Sequence, residues 1–398
     1  MVAKRNPFSL HDARRPLDPK LASNPSDHGL PAQLPHILYS YKHIIKEQEQ
    51  RMADRILNIG FIGNGKGSNR YHAPFSLALP EKFRIKTIQA RHLGGPWPQI
   101  PGVEYTTDMA AMLADPEIDV VEISTPHFTH YSLTKAALEA GKHVVCDKAF
   151  VGTVAEAEEL FALAEAKGVT VQCYQNRRFD SDLLTAKKVM ESGKLGKVFE
   201  VVTHYDYWRE EYLRYAQEGA FDRLMGICYG HACHSVDQLI SWFGVPDHWH
   251  TETRQLFGEG HPETYYDFDL YYDELGIKAT AASNYHAAIQ RPSFEVYGTR
   301  GTFIKVEKDQ QERDLKKFYL PAGHPDFGLD TPEQWGTLRY YDEDGVMHEE
   351  RVETVRSTYS GFYEALYETV ANGAPVLVKP EETIAQLRIL EEATEGLK

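Results

Sequence analysis

The chain has 398 residues, of which 42% are hydrophobic and 25% are charged, and its formal net charge at pH 7 is −15. That length accommodates two domains, and the proportions are ordinary for a globular protein. The acidic balance argues against nucleic-acid and anionic-membrane partners, which need clustered lysine and arginine. No apolar run approaches the ~18 residues of a membrane span. The four cysteines form no CxxC pair, so we expect reduced thiols in a cytoplasmic protein.

Residues 1–51 are rich in proline and poor in large apolar side chains. No apolar segment follows Lys4 and Arg5, so the sequence predicts no signal peptide. Two interpretations of this stretch stay open. It is either an extended arm that lies across a partner subunit, or a mis-assigned start of a protein that begins at Met52.

From Ile56 to Tyr174, short apolar segments alternate with helical patterns, which predicts a doubly wound parallel sheet. The predicted strands are 57–62, 85–90, 120–124, 143–146 and 169–173. The predicted helices are 108–114, 131–140 and 154–166. Thr153 and Glu156 form a capping-box pattern at the start of the last of these helices. We therefore expect a dinucleotide-binding Rossmann domain over residues 52–175.

Residues 176–398 follow a different pattern, which predicts an α+β domain with a large open, mostly antiparallel sheet. The predicted strands are 198–207, 248–256, 264–272, 277–285, 293–297 and 302–306. The predicted helices are 181–192, 235–243, 359–372 and 380–397. Between Tyr265 and Tyr272 side chains alternate so that one face of the sheet is covered. An open sheet rich in aromatic residues predicts a homo-oligomer, a dimer or a tetramer, formed through this domain.

The apolar run Leu57–Ile62 leads into a glycine turn and then into a segment that predicts a helix. A strand followed by G-x-G places free backbone N–H groups at a helix N-terminus, where they hold a pyrophosphate. A second apolar run, Phe83–Gln89, follows at the distance of a βαβ unit. A plain glycine turn is the alternative. The expected cofactor contacts are Gly63, Asn64, Gly65, Gly67 and Ser68, with Ser68 in place of the third glycine of the motif.

Arg91 lies just beyond the second predicted strand, where an acidic residue grips the ribose of NAD in many Rossmann domains. The segment from Gln89 to His92 contains no carboxylate. A carboxylate would repel the 2′-phosphate of NADP, whereas Arg91 could pair with it. The sequence therefore favours NADP over NAD, and a solvated surface arginine is the alternative.

Ser124 ends another predicted strand, and residues beyond strand ends face the ligand crevice of a doubly wound sheet. We therefore expect cofactor contacts from Thr125, Pro126, His127 and His130. The alternative is a turn fixed by Pro126, with His130 capping the next helix.

Asp147 and Lys148 end a buried strand. Lysine is seldom buried without a reason. Beside a cationic nicotinamide the pKa of Lys148 could fall, which would suit it to proton transfer, and Asp147 could position it. An incidental surface ion pair is the alternative.

Together these motifs resemble the Gfo/Idh/MocA family, named for glucose-fructose oxidoreductase and inositol dehydrogenase. The resemblance includes the G-x-G turn, Thr-Pro-x-x-x-His at 125–130, Asp-Lys at 147–148, the segment 176–182 and the turn 193–196. Within the family the sequence is most similar to the bacterial scyllo-inositol dehydrogenase branch. The resemblance implies NAD(P)-dependent oxidation or reduction of a sugar or cyclitol carbon.

The resemblance places the catalytic lysine at Lys148 and a catalytic, substrate-contacting histidine at His234. The family's D-x-x-x-H helix start falls on 230–234, so Gly230 replaces the aspartate and Ala149 replaces the proline after the lysine. His231 or Asp237 could orient His234 instead. Asn176 is expected at the cofactor. Polyol contacts are expected from Arg177, Asp206 and Arg209, which lie near predicted strand ends.

We therefore expect hydride transfer between nicotinamide and a secondary alcohol carbon, with the substrate hydroxyl between Lys148 and His234. Reduction of a cyclic imine or another carbonyl is an alternative, and so is a cofactor-binding sensor with little turnover. Cys228, His231, Cys233 and His234 include zinc-ligand types. Their spacing matches no standard site, so no metal is expected.

Overall fold

The computed structural model describes residues 55–398. Its first sheet has six parallel strands in the order β3-β2-β1-β4-β5-β6. This is the strand order of a dinucleotide-binding Rossmann fold, and it confirms the predicted parallel sheet. The strands are β1 Leu57–Ile62, β2 Phe83–Gln89, β3 Glu104–Thr106, β4 Val120–Ile123, β5 His143–Cys146 and β6 Val171–Cys173.

Short helices connect these strands. A π-type turn at Ser68–His72 leads directly into the first of them, and the predicted capping box of Thr153 and Glu156 is present in the last. The helices are α1 Ala73–Ser76, α2 Met109–Ala114, α3 His130–Glu139 and α4 Val154–Lys167. The central strands β4 and β5 are almost wholly apolar and buried, as expected for a sheet covered on both faces.

The second sheet has eight strands in the order β14-β13-β12-β11-β7-β10-β9-β8, with β7 and β10 parallel and the other pairs antiparallel. The strands are β7 Val198–His204, β8 His248–Arg254, β9 Tyr265–Tyr272, β10 Ile277–Asn284, β11 Phe294–Gly298, β12 Gly301–Lys305, β13 Gly336–Tyr341 and β14 Met347–Val352. Alternate residues of β9 are buried, as its sequence predicts. The predicted open, mostly antiparallel sheet is confirmed.

Some helices of the C-terminal part pack on the second sheet, and others pack against the helices of the first sheet. They are α5 Ser181–Glu191, α6 Glu210–Glu218, α7 Cys233–Phe243, α8 Gln310–Lys316, α9 Ser360–Asn372 and α10 Pro380–Thr394. Helix α5 packs on β11 and β12, and α7 packs on β10. Helices α9 and α10 return to the first sheet's layer, where they contact α1 and α4 respectively. Tyr363 of α9 meets the ring of Phe83 edge-on and hydrogen-bonds to His72.

Several elements differ from the prediction. Strands β3, β13 and β14 and helices α6 and α8 were not predicted. Helix α10 ends at Thr394 rather than at residue 397, and its C-cap residue is extended. The proposed N-terminal arm or mis-assigned start lies outside the described residues. None of the helices in the described part of the chain is both long enough and apolar enough to cross a bilayer.

Candidate active site

The first crevice of the site opens at the carboxyl ends of β1 and β4, where the strand order of the parallel sheet reverses. This is the position at which open α/β sheets bind ligands. The crevice has a volume of about 340 Å³. It brings together six predicted cofactor contacts, which are Gly63, Asn64, Gly65, Arg91, Thr125 and Pro126. The other lining residues, which the sequence did not single out, are Gln89, Ala90, His92, Gly94 and Ser124.

The glycine turn after β1 leaves room for a ligand at one position and none at another. Gly63 has φ +118°, and a Cβ there would lie 2.5 Å from the carbonyl oxygen of Ser124. A Cβ on Gly65 would meet no atom within 4 Å. The turn is therefore tight against β4 at Gly63 and open at Gly65, directly before a helical segment. This open cradle fits the pyrophosphate of a dinucleotide.

Ser68 braces the glycine turn from within and does not line the crevice. Its hydroxyl donates to the carbonyl oxygen of Gly63 at 2.8 Å and lies 2.5 Å from the hydroxyl oxygen of Ser124. The side chain is buried. Ser68 thus replaces the third glycine of the motif by tying the helical segment to β1 and β4. The prediction of a direct cofactor contact at Ser68 is corrected accordingly.

A second cavity, of about 260 Å³, lies beyond the glycine turn between the parallel sheet and the C-terminal part of the chain. It brings together seven predicted site residues, which are Gly67, Asp147, Lys148, Asn176, Arg177, Arg209 and His234. It is also lined by Lys66, Tyr71, Tyr174, His231 and Glu312. Of these five, only His231 was a candidate site residue in the sequence.

Lys148 enters this cavity from the end of β5. Its backbone N–H donates to the Asp147 carboxylate at 2.8 Å, and its ammonium donates to the carbonyl oxygen of Gly230 at 2.8 Å. The peptide bond between Lys148 and Ala149 is cis. A Cβ on Gly230 would meet no atom within 4 Å. The ammonium therefore lies beside an open space at Gly230, the position that the family's aspartate would occupy.

Two neutral imidazoles face the same cavity. Burial, together with the positive charges of Lys148 and Arg177, lowers the pKa of His234 well below its ordinary value. The Nδ1 atom of His234 is buried and has no hydrogen-bond partner. Burial and the nearby cations also lower the pKa of His231, whose ring hydrogen-bonds to the hydroxyl of Tyr285. Both rings are therefore uncharged at neutral pH and can accept a hydrogen bond.

A buried polar network supports Asp147 from behind. The Nε2 atom of His72 lies 3.1 Å from Glu122 and 3.9 Å from Asp147. Burial raises the pKa of Glu122 to about 7. Burial also disfavours the charge on Asp147, but the positive charge of the nearby His72 holds the pKa of Asp147 well below its usual range. His72 and Glu122 were not among the predicted site residues, although an acidic residue within the otherwise apolar strand β4 is a visible signal.

The structure does not bring His127, His130 or Asp206 to either cavity. Both ring nitrogens of His130 lie 2.9 Å from main-chain carbonyl oxygens, those of Ala149 and Thr125. The Nδ1 atom of His127 lies 2.8 Å from the carbonyl oxygen of Leu224. The contacts of His130 hold the ends of β4 and β5 together, and that of His127 ties the segment after β4 to Leu224. Their contact with the cofactor stays a prediction, and the contacts seen here are structural.

Asp206 is fully engaged in an ion pair. Its carboxylate accepts two hydrogen bonds from the guanidinium of Arg291, at 2.7 and 2.8 Å, and one from the backbone N–H of Asn284 at 2.9 Å. It is 1% exposed. Asp206 therefore joins the ends of β7 and β10. Its carboxylate is occupied by these partners, which argues against the predicted polyol contact.

Asp237 does not orient His234. Its carboxylate accepts hydrogen bonds from Arg178 at 2.6 and 2.8 Å, and Arg178 also pairs with Glu382 of α10. All three carry little exposed surface, so the cluster is a structural tie between α7 and α10. Within residues 55–398 no group of three or more histidine, cysteine or acidic side chains is arranged to hold a metal ion.

Comparisons with known proteins agree with this geometry. Residues 57–175 match the family model described as "Oxidoreductase family, NAD-binding Rossmann fold", and residues 187–397 match "Oxidoreductase family, C-terminal alpha/beta domain". The uncharacterised oxidoreductase YhhX of Escherichia coli (strain K12) is 41% identical over 346 residues, which are 85% of this chain and 96% of that protein.

Two further comparisons concern a named activity and a solved structure. The scyllo-inositol 2-dehydrogenase (NADP(+)) IolW of Bacillus subtilis (strain 168) is 30% identical over 353 residues, covering 88% of this chain and 96% of IolW. A crystal structure of an oxidoreductase from Bacillus cereus is 40% identical, with a TM-score of 0.79, and covers 85% of this chain and 95% of that one. The resemblance seen in the sequence motifs is thereby confirmed. The chain belongs to the Gfo/Idh/MocA family and is an NAD(P)-dependent oxidoreductase.

Proposed function

We propose that the protein is an NADP-preferring dehydrogenase that transfers hydride between nicotinamide and a secondary alcohol carbon of a sugar or cyclitol. The observation that carries the proposal is the second cavity. There an ammonium group (Lys148) and an unpartnered neutral imidazole (His234) line one small space next to the glycine turn. The name of the relative IolW, a scyllo-inositol dehydrogenase, supports the choice of substrate class.

When bound, a nicotinamide dinucleotide supplies the hydride acceptor or donor. Lys148 holds a proton at its Nζ atom and keeps that atom in place through the Gly230 carbonyl. In the reducing direction Lys148 donates this proton to the carbonyl oxygen of the substrate as negative charge develops there. In the oxidising direction the amine of Lys148 takes the proton of the substrate hydroxyl. The neutral imidazole of His234 accepts a hydrogen bond from a substrate hydroxyl and so orients the reacting carbon.

A substrate panel tests the reaction class. Polyols and aldoses are offered with NAD and with NADP, and cyclic imines with the reduced coenzymes, and the absorbance of reduced nicotinamide is followed. Turnover of a polyol or aldose supports the proposal. Turnover of imines alone would show the alternative reductase, and coenzyme binding without any absorbance change would show the sensor.

Lys148→Met tests the role of the lysine. Loss of a proton-transfer group lowers kcat by about 10²–10⁴-fold, while coenzyme affinity measured by fluorescence titration should stay within twofold of the wild type. Lys135→Met is the matched control, because Lys135 is a surface lysine paired with Glu159. A Lys148→Met enzyme that keeps more than a tenth of the activity would contradict the role.

The preference for NADP rests on the lining of the first crevice. Arg91 and His92 are part of that lining, and it contains no carboxylate. An acidic residue there would repel a 2′-phosphate, whereas a guanidinium can pair with one. Arg91→Leu should lower kcat/KM with NADP by about 10–100-fold and change kcat/KM with NAD little. A wild-type enzyme that prefers NAD tenfold would overturn the preference.

We also propose that residues 52–175 bind the coenzyme, that residues 176–398 bind the substrate, and that the second sheet pairs subunits into a dimer or tetramer. Helices α5 and α7 cover one face of that sheet, whereas Ile304, Arg339 and Tyr341 line a shallow cavity on the other. Light scattering of Ile304→Glu should report smaller particles than the wild type. Ile289→Glu is the control, because Ile289 is 90% exposed and lies between strands.

A further inference from the structure

Basic side chains outnumber acidic ones around the second cavity. The lining contains two lysines and two arginines, against only two carboxylates, Asp147 and Glu312. The imidazoles of His231 and His234 are neutral, for the reasons given above. The position of the family's aspartate is Gly230, so no third carboxylate offsets these charges.

Both carboxylates are already engaged by the protein. Asp147 accepts the backbone N–H of Lys148 and faces His72. Glu312 lies 3.2 Å from Arg177 and 3.1 Å from Lys316, and it accepts a hydrogen bond from the hydroxyl of Tyr71 at 3.1 Å. Arg177 in turn lies 3.2 Å from Asp180. The charge of Arg177 is therefore balanced within the protein.

Arg209 is not balanced in this way. In the described part of the chain no carboxylate lies within 4 Å of its guanidinium, which is placed over the ring of Tyr207 at 5.1 Å from the centroid. The ammonium of Lys308 lies 5.0 Å from the centroid of the same ring and has no carboxylate within 4 Å among residues 55–398. Two cations without a carboxylate within 4 Å thus share the ring of Tyr207, and Arg209 is the one of them that lines the cavity.

The electrostatic field at His231 gives a second indication. After burial, the contributions that lower the pKa of His231 come from Lys148, Arg209, Arg177 and Lys308. No acidic group is among the main contributions at this ring. Lys66 lies next to Gly67 at the glycine turn, so we expect its ammonium to pair with the coenzyme phosphates. Arg209 lines the C-terminal side of the cavity, and Lys308 contacts the same tyrosine ring as Arg209.

Resting on the proposed function, we propose that the substrate is an anionic polyol, a sugar acid or a sugar phosphate, whose charged oxygens bind Arg209 with Lys308 behind it. Carboxylate and phosphate oxygens are the groups that a free guanidinium recognises best. The open space beside Gly230, where a carboxylate would have repelled such a group, is consistent with this substrate class. A neutral cyclitol would leave Arg209 without an anionic partner.

Calorimetric titration of the enzyme saturated with NADP⁺ tests the inference, because the coenzyme phosphates are then already in place. The probes are D-glucuronate, D-glucose 6-phosphate, D-glucose and myo-inositol. We expect at least one charged probe to bind at least tenfold more tightly than D-glucose, and the stronger of the two identifies carboxylate or phosphate as the anion. Arg209→Gln should weaken binding of that probe by about 10–100-fold. Arg214→Gln should not, because Arg214 is an exposed arginine of helix α6, which begins directly after Arg209.

Three outcomes would overturn the inference. They are equal or tighter binding of the neutral probes, no measurable binding of either charged probe, or an equal effect of Arg209→Gln on charged and neutral probes. The proposed function is judged separately by turnover. Efficient oxidation of neutral polyols alone would keep the proposed function and remove the anionic substrate. Arg209-dependent binding of an anion without turnover of any compound would support the anion site and refute the dehydrogenase.

Discussion

Two glycines of the same turn should respond in opposite ways to the same substitution, because only one of them is held tightly by the protein. At Gly63 the backbone has φ +118°, and an added Cβ would lie 2.5 Å from the carbonyl oxygen of Ser124. At Gly65 nothing lies within 4 Å of an added Cβ, and its φ is not in the left-handed region. Gly63→Ala therefore tests the fold, and Gly65→Ala tests the ligand cradle.

The expected magnitudes follow from these environments. Holding alanine at a glycine-only φ costs about 1–3 kcal/mol, and relieving the contact with β4 costs a similar amount. Gly63→Ala should therefore lower the free energy of unfolding by about 2–6 kcal/mol. Gly65→Ala should leave it within about 1 kcal/mol of the wild type. Its methyl group would instead occupy space that a pyrophosphate needs, which should raise the coenzyme dissociation constant at least tenfold, or about 1.4 kcal/mol.

Urea unfolding followed by circular dichroism measures the first quantity, and fluorescence titration with reduced coenzyme measures the second. The two variants control for each other, since each carries the same single methyl group within one turn. A Gly65→Ala enzyme that binds coenzyme like the wild type would refute the cradle. A Gly63→Ala enzyme with unchanged unfolding would refute the close contact with β4.

Three further predictions address the buried charges. Asp206→Asn should lower the unfolding midpoint while KM stays within twofold of the wild type, because Asp206 pairs with Arg291 and not with substrate; a large KM change would restore it as a substrate contact. Asp237→Ala should cost about 3–5 kcal/mol in urea unfolding, since it leaves the buried Arg178 with an incomplete set of partners; a loss below 1 kcal/mol would contradict this. The pKa of Glu122 is raised by burial to about 7, so the stability tied to its proton is present below its ordinary pKa and is lost as pH rises through 7. His72, whose pKa is also raised in the fold, acts in the same direction. His231 and His234, whose pKa values are lowered in the fold, act in the opposite direction. Between pH 5 and pH 8 the melting temperature of Glu122→Gln should therefore fall less, or rise more, than that of the wild type; equal slopes would disprove the contribution of Glu122.

The parts of the fold that could be predicted are those whose residues carry their own pattern. Strand β1 was predicted at its observed bounds because an apolar run ends at a glycine turn. The buried face of β9 follows from strict alternation between Tyr265 and Tyr272. Strands β13 and β14 were missed because their alternate residues are polar or only partly buried, as in the burial pattern of Met347–Val352. Such a strand is stabilised by pairing with its neighbour rather than by burial of a hydrophobic face.

For the site, the sequence identified many residues that line the two cavities, but it did not show toward which partner each side chain points. Lys148 and His234 could be paired because each lies in a recognisable motif. His130 and Asp206 also have suitable side chains near strand ends, but each is turned toward main-chain or arginine partners. The contact of His72 with Glu122 joins residues 50 positions apart, and neither position shows a local pattern that reveals the other. Direction and pairing depend on tertiary packing, which no local spacing encodes.

The return of helices α9 and α10 to the parallel sheet has a consequence for biosynthesis. Domains tend to fold in the order in which they leave the ribosome. Here the ring that meets Phe83 and the hydroxyl that bonds His72 both belong to Tyr363, near the end of the chain. In a nascent chain that ends before α9, the surface of the Rossmann domain around Phe83 and His72 would stay uncovered. We therefore expect the coenzyme half to mature only after translation has ended, and C-terminal truncations to damage it as much as the half in which they lie.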